Sequence, residues 1–341
     1  MSPTIPQTYK AAVIEEVGKP LVVKELPVPK PQPGEVLIKS LACGICHSDA
    51  AVQSGAFPTK LPLVPGHEVV GEVVAVGEGE KRWQVGDRVG GPWHGGHDGI
   101  CKACNRGLFQ MCQNAAVNGV TRNGGYGEYA TLRSEAVVDI PKDVNPAEVA
   151  PLLCAGVTVF NGIRNMGIVP GDVVAIQGLG GLGHLALQFS RRMGYRTVAL
   201  SSSSAKKDFA MKLGANDYVD TSKEDTVSAL KAMGGASLVV VTAPNPKIMG
   251  PLVNACGPLG KVLVLAPVGN IPVNTIAMIG QGVSVHGWPS GHANDSVETI
   301  DFAKRQDVNC MIEKFKLSQV NEAMDKMMKG DIRFRGVLVF D

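Results

Sequence analysis

The chain has 341 residues, 45% of them hydrophobic, which is enough for two domains with sizeable cores. A formal net charge of only +2 gives no electrostatic case for nucleic acid or an anionic membrane, and no apolar stretch approaches the roughly 20 residues that span a bilayer. Met1–Lys10 lacks a basic segment followed by an apolar run, and Val337–Asp341 carries no address signal, so the expected compartment is the cytoplasm. In that compartment 8 cysteines are seldom disulfides, and metal ligation, catalysis or burial must explain them.

Tyr9–Glu15, Leu21–Glu25, Glu35–Ala42 and Glu68–Gly77 are rich in Val and Ile and separated by Gly and Pro, so the first part is expected to be β-rich. The texture changes near Pro170–Gly171. From there Asp172–Gln177 predicts a strand, Leu182–Met193 a helix, Thr197–Leu200 a strand, and Lys206–Leu213 a helix stopped by Gly214. Ser237–Val241 and Gly260–Leu265 are continuous apolar strands, as in a sheet covered on both faces. That alternation predicts an α/β fold with a doubly wound parallel sheet. Ser296–Asp341 returns to mixed helix and strand and is expected to rejoin the first domain. The expected division is therefore 1–152, an inserted sheet domain over 153–289, and a return over 290–341.

Gly178-Leu179-Gly180-Gly181-Leu182-Gly183 follows a predicted strand and opens a predicted helix. In that context the glycines mark a dinucleotide site: Gly178 for the tight turn, Gly180 for approach of the pyrophosphate, and Gly183 for helix–strand packing, with free N–H groups at the helix start. A site built for NAD(H) places Asp or Glu at the end of the second strand. This chain has Ser201, Ser202 and Ser203 there, followed by Ser204 and Lys206. Hydroxyls and an ammonium group suit a 2′-phosphate, so NADP(H) is expected over NAD(H).

Asp98, Cys101, Cys104 and Cys112 have the close spacing of a structural zinc lobe, placed at 94–115, with His97 and His94 as alternatives to Asp98. A second group is dispersed: Cys46, His47, Ser48, Asp49, then His67 and Glu68, then Cys154. Two thiolates and one imidazole would make a three-ligand zinc site with one open position, a set for which alcohol dehydrogenase is the stock example.

Taken in order, Cys46–Asp49, Gly66-His67-Glu68, the cysteine lobe, Leu153–Thr158 and Gly178–Gly183 resemble the zinc-dependent medium-chain alcohol dehydrogenases over nearly the whole chain. The overall match looks yeast-type, whereas the serine tract looks like the cinnamyl alcohol dehydrogenase branch. The resemblance implies a Rossmann sheet inserted into a GroES-like catalytic domain. It also implies two zinc ions per chain, hydride exchange between a primary alcohol or aldehyde and NADP(H), and a homodimer or homotetramer. By the same resemblance Cys46, His67 and Cys154 bind the catalytic zinc. Glu68 lies behind it, Asp49 fixes His67, and Ser48 passes the substrate proton. His47 and Arg335 face the pyrophosphate, and Phe57 and Trp93 line the substrate pocket. Two departures stand out. Asp98 replaces the first of the four cysteines usual in the lobe, and Ala51 occupies the place of a relay histidine.

Overall fold

Strands form where Val and Ile are densest, and their register brings the dispersed residues together. The computed structural model describes residues 4–267 and 269–341. It divides into a first unit, Met1–Cys154 with Gly291–Asp301 and Asn309–Asp341, and a second, Ala155–Ser290 with Phe302–Val308. These units depart from the expected division at Leu153–Cys154, at Ser290 and at Phe302–Val308. Cys154 closes the first unit instead of lying inside the inserted domain. Phe302–Val308 belongs with the second unit because the Phe302 ring packs 5.0 Å from Phe160 and 5.9 Å from Phe189.

The first unit is organised on the strand Glu35–Gly44. It pairs antiparallel with Val69–Val76, Tyr129–Arg133 and Arg335–Val339 in a 7-stranded sheet. The register sets Cys43 opposite Val69 and Gly44 opposite Val337. Cys46, just past one strand, therefore meets His67 and Glu68, just before the next, and Arg335, which opens the third. Gly44 has no side chain for a reason: a Cβ there would fall on Glu68 Oε2. The apolar faces of these strands bury Leu37, Ile38, Val73 and Leu132 to 1% exposure or less.

The second unit holds a 6-stranded sheet in which every pairing is parallel. Its order is Asp217–Asp220, Arg196–Ser201, Val173–Gln177, Ala236–Val241, Cys256–Val264, Ser284–Gly287. That is the doubly wound dinucleotide-binding order. The central strands are fully covered, Val173–Gln177 reading as buried throughout, which explains their unbroken apolar sequence. The two edge strands escaped sequence reading because both are short, only partly buried and carry polar residues. Among the described residues no single helix is long and apolar enough to cross a membrane.

Candidate active site and metal centres

Cys46 precedes the helix His47–Gln53, His67 and Glu68 precede the strand Val69–Val76, and Cys154 ends a short 3-10 turn. Their sulfur, imidazole and carboxylate donor atoms all lie within 4.8 Å of one another. Two thiolates on one tetrahedral zinc, each about 2.3 Å from it, stand roughly 3.8 Å apart; Cys46 Sγ and Cys154 Sγ are 4.0 Å apart. His67 Nε2 is buried without a hydrogen-bond partner, as is Glu68 Oε2. Unpartnered donors converging on one point cost free energy unless something satisfies them. With no metal bound, the same closeness favours a thiolate at Cys46 beside an imidazolium at His67, whose proton a bound cation would displace. The Cys154 thiol, followed by His67, draws Cys46 well below the ordinary thiol range against the effect of burial. Burial opposes the His67 imidazolium, yet Asp49 and Cys46 hold its pKa well above the ordinary value. These donors fit a divalent cation.

Asp49 organises the ligands. Its Oδ1 lies 3.0 Å from His67 Nδ1 and accepts the Gly66 N–H at 3.3 Å. Its Oδ2 accepts the Cys46 N–H at 2.9 Å and the Tyr126 hydroxyl at 2.8 Å. A carboxylate on Nδ1 fixes the imidazole tautomer and leaves Nε2 for the metal.

Arg335 is buried at 3% exposure and donates from Nη2 to Glu68 Oε1. Desolvation dominates at Glu68 and pushes its pKa up to about 7, with Arg335 pulling the other way. This raised value has a measurable consequence in metal-free protein. A carboxyl whose folded pKa exceeds its ordinary 4.5 stabilises the fold below pH 4.5 and loses that contribution as pH rises to about 7. Glu68→Gln, which carries no charge, is therefore expected to gain melting temperature over metal-free wild type as pH rises through this window. Scanning calorimetry with chelated protein at both ends checks this, and a constant difference contradicts it.

Trp93 stands edge-on to His67, with centroids 4.9 Å apart, and Phe57 lies 5.7 Å from Trp93. The two expected pocket aromatics thus form one apolar wall beside the imidazole. Ser48 is half-buried and His47 exposed, both at the start of the helix that follows Cys46.

The lobe is equally compact, with Asp98, Cys101, Cys104 and Cys112 donors within 4.8 Å of one another. Cys101 Sγ and Cys112 Sγ are 3.8 Å apart, and Cys112 Sγ accepts the N–H groups of Asp98 and Asn114. Backbone N–H groups of Ile100 and Cys101, with the Asn114 amide, hold the Asp98 carboxyl well below the usual range, so it remains an anionic oxygen donor. His97 and His94 lie outside this group. They face each other at 3.3 Å, and His97 stacks on Phe109. Asp98→Ala is expected to lower the amount of metal bound per chain and the melting temperature; metal analysis with calorimetry decides it.

In the second unit, Gly178 has a φ of +95° and a Cβ there would lie 2.7 Å from that of Ala243. A Cβ on Gly183 would collide with the Gly178 carbonyl, whereas one on Gly180 meets nothing within 4 Å. Packing demands the outer glycines, and the middle one leaves its backbone open; Leu179, Gly181 and Leu182 complete the turn. Ser201 ends its strand nearly buried, Ser202 and Lys206 are exposed, and the Ser203 hydroxyl caps the following turn. The sequence reading missed Asp220, which the register sets opposite Ser201. Ser204 Oγ donates to Asp220 Oδ2 at 2.6 Å and accepts from Lys223 Nζ at 2.6 Å. Hydrogen bonds from Ser204 and Ser222 bring the Asp220 pKa down to about 2. Only strand pairing could have revealed this neighbour.

Residues 32–142 match the alcohol dehydrogenase GroES-like domain and residues 181–305 the zinc-binding dehydrogenase domain. The chain is 55% identical to alcohol dehydrogenase patD of Penicillium expansum, over 99% of both chains. It belongs to the zinc-dependent medium-chain alcohol dehydrogenases. An alcohol dehydrogenase of Geobacillus stearothermophilus is 40% identical over 96% of this chain and 98% of its own. A solved cinnamyl alcohol dehydrogenase of Sorghum bicolor superposes with a TM-score of 0.89 at 30% identity, covering 97% of each chain. This alcohol dehydrogenase thus combines a GroES-like zinc-binding unit with a Rossmann unit, and it is an oxidoreductase.

Proposed function

We propose that this alcohol dehydrogenase interconverts primary alcohols and aldehydes with NADP(H) as its hydride partner and carries two zinc ions per chain. The convergence of Cys46, His67 and Cys154 beside the Trp93–Phe57 wall carries the reading. Bound zinc supplies Lewis-acid polarisation of the substrate oxygen, and NADP(H) supplies or accepts hydride. The chain's residues do the rest. Asp49 holds His67 in one tautomer, so the donor set is organised before substrate arrives. Trp93 and Phe57 present an apolar wall that favours an unbranched or aromatic carbon skeleton and keeps water from the reacting carbon. The Ser48 hydroxyl receives the alcohol proton during oxidation and returns it during reduction. Ala51 offers no side-chain acceptor beyond Ser48, so the proton must leave Ser48 by a route that does not use position 51. Gly178–Gly183 seats the pyrophosphate, and His47 is a second candidate for contact with the cofactor.

NADP(H) is supported by Ser201, Ser202, Ser203 and Lys206, hydroxyls and an ammonium group where an NAD(H) site would carry a carboxylate. The proposed working form is a cytoplasmic homodimer or homotetramer acting on small molecules, with no nucleic-acid or membrane partner. A panel of aldehydes and alcohols assayed with both cofactors, alongside metal analysis and light scattering, tests the reading. A zinc-loaded protein that turns over none of them with NADPH sinks it.

A further inference from the structure

Tyr126 holds none of the expected metal donors, yet its hydroxyl is a fully buried donor aimed at the group that positions them. The residue is 0% exposed, and its hydroxyl lies 2.8 Å from Asp49 Oδ2. Each Asp49 oxygen thereby receives two donors. His67 Nδ1 and the Gly66 N–H serve Oδ1, and the Cys46 N–H and Tyr126 hydroxyl serve Oδ2. Three of these four donors lie on, or next to, a residue expected to ligate the metal; Tyr126 alone arrives from elsewhere in the chain. The terminal torsion of an aspartate is broad, so such contacts set the plane of its carboxylate. Without the phenol, Oδ2 keeps one backbone donor and the carboxylate is free to tilt away from His67.

Tyr126 is itself registered on the loop that carries His67. Gly124 N–H donates to the Val64 carbonyl at 2.7 Å, Gly125 N–H to Gly66 at 2.9 Å, and Tyr126 N–H to Pro65 at 3.0 Å. Its ring fills the space over Gly66, where φ is +100° and any Cβ would strike the aromatic edge. Ring, loop and hydroxyl together form a brace.

We propose that Tyr126 is a positioning residue that acts through Asp49 to hold His67 and the Cys46 loop in metal-binding geometry. The proposal rests on the assignment of those two residues as zinc ligands. Removing a direct hydrogen-bond partner of a metal-bound histidine costs about 10–100-fold in metal affinity, so a brace one bond further out is expected to matter by about three- to tenfold.

The test follows zinc release from the purified enzyme into a chromogenic chelator, with Cys154→Ala giving the baseline from the cysteine lobe. Tyr126→Phe keeps the ring and removes only the hydroxyl. It is expected to release the catalytic ion about three- to tenfold faster and to shift the visible bands of the cobalt-substituted enzyme. In an Asp49→Asn background the same change is expected to add less than about twofold, because the carboxylate it acts through is gone. Release at the wild-type rate, or equal acceleration in both backgrounds, overturns the proposal, the latter showing a packing role alone. If Tyr126→Phe does not fold, fluorotyrosine at position 126 keeps the hydroxyl and makes it a stronger donor. Slower release than wild type supports the brace, and unchanged or faster release overturns it. If wild type shows no chelator-sensitive ion beyond the Cys154→Ala baseline, the ligand assignment itself fails and the proposal falls with it.

Discussion

Cys154→Ala is expected to lower turnover by about three to four orders of magnitude, the loss that follows when Lewis-acid stabilisation of several kcal/mol disappears. Cys154 supplies one of two sulfurs in the donor group and has its partner, Cys46, at 4.0 Å. Without it one thiolate, one imidazole and the Oε2 of Glu68 remain, the other Glu68 oxygen being held by Arg335, a weaker donor set for zinc than one with two thiolates. Zinc content should fall to one ion per chain, that of the lobe. The glycine loop and serine tract lie in the second unit and keep their residues, so NADPH binding should persist in a fluorescence titration. Full activity would contradict the ligand assignment, and loss of cofactor binding would point to global damage.

The second large effect is expected from Ser201→Asp. Ser201 ends its strand at 9% exposure, where a carboxylate would meet the ribose hydroxyls of NAD(H) and repel a 2′-phosphate. Losing one or two charge-assisted hydrogen bonds costs about 3 kcal/mol, equivalent to about a hundredfold in the ratio of kcat/KM for NADPH over NADH. Because Ser201 pairs with Asp220 across the sheet, the substitution also sets two carboxylates side by side. Asp220→Asn is therefore the background in which to measure the switch free of that repulsion. Steady-state kinetics with both cofactors decide it, and an unchanged ratio refutes the role of Ser201.

The legible features were those encoded locally. The strand Val173–Gln177 and the helix Gly183–Arg192 follow from an apolar run, a glycine loop and helical periodicity. The lobe ligands sit within one loop, where short spacing alone brings them to one ion. Asp98 could be placed among them from its position, but excluding His97 and His94 needed their stacking geometry. The catalytic set was different in kind. Nothing in the spacing of Cys46, His67 and Cys154 joins them, and the resemblance to a family supplied the connection. The physical link is the register of Glu35–Gly44 against its neighbours.

What the sequence determined by itself was the alternation that makes a parallel sheet, the glycines of the dinucleotide turn and the chemistry of the donors. These depend on residues near one another in the chain, through backbone freedom and periodicity. Tertiary structure alone decided that Arg335 lies under Glu68, that Asp220 stands beside Ser201, and that Tyr126 closes the ring of donors around Asp49. Each of these contacts joins elements that are separate in the chain, through strand pairing or through the loops that pairing positions, and register is written in the packing of whole faces, not in any one residue.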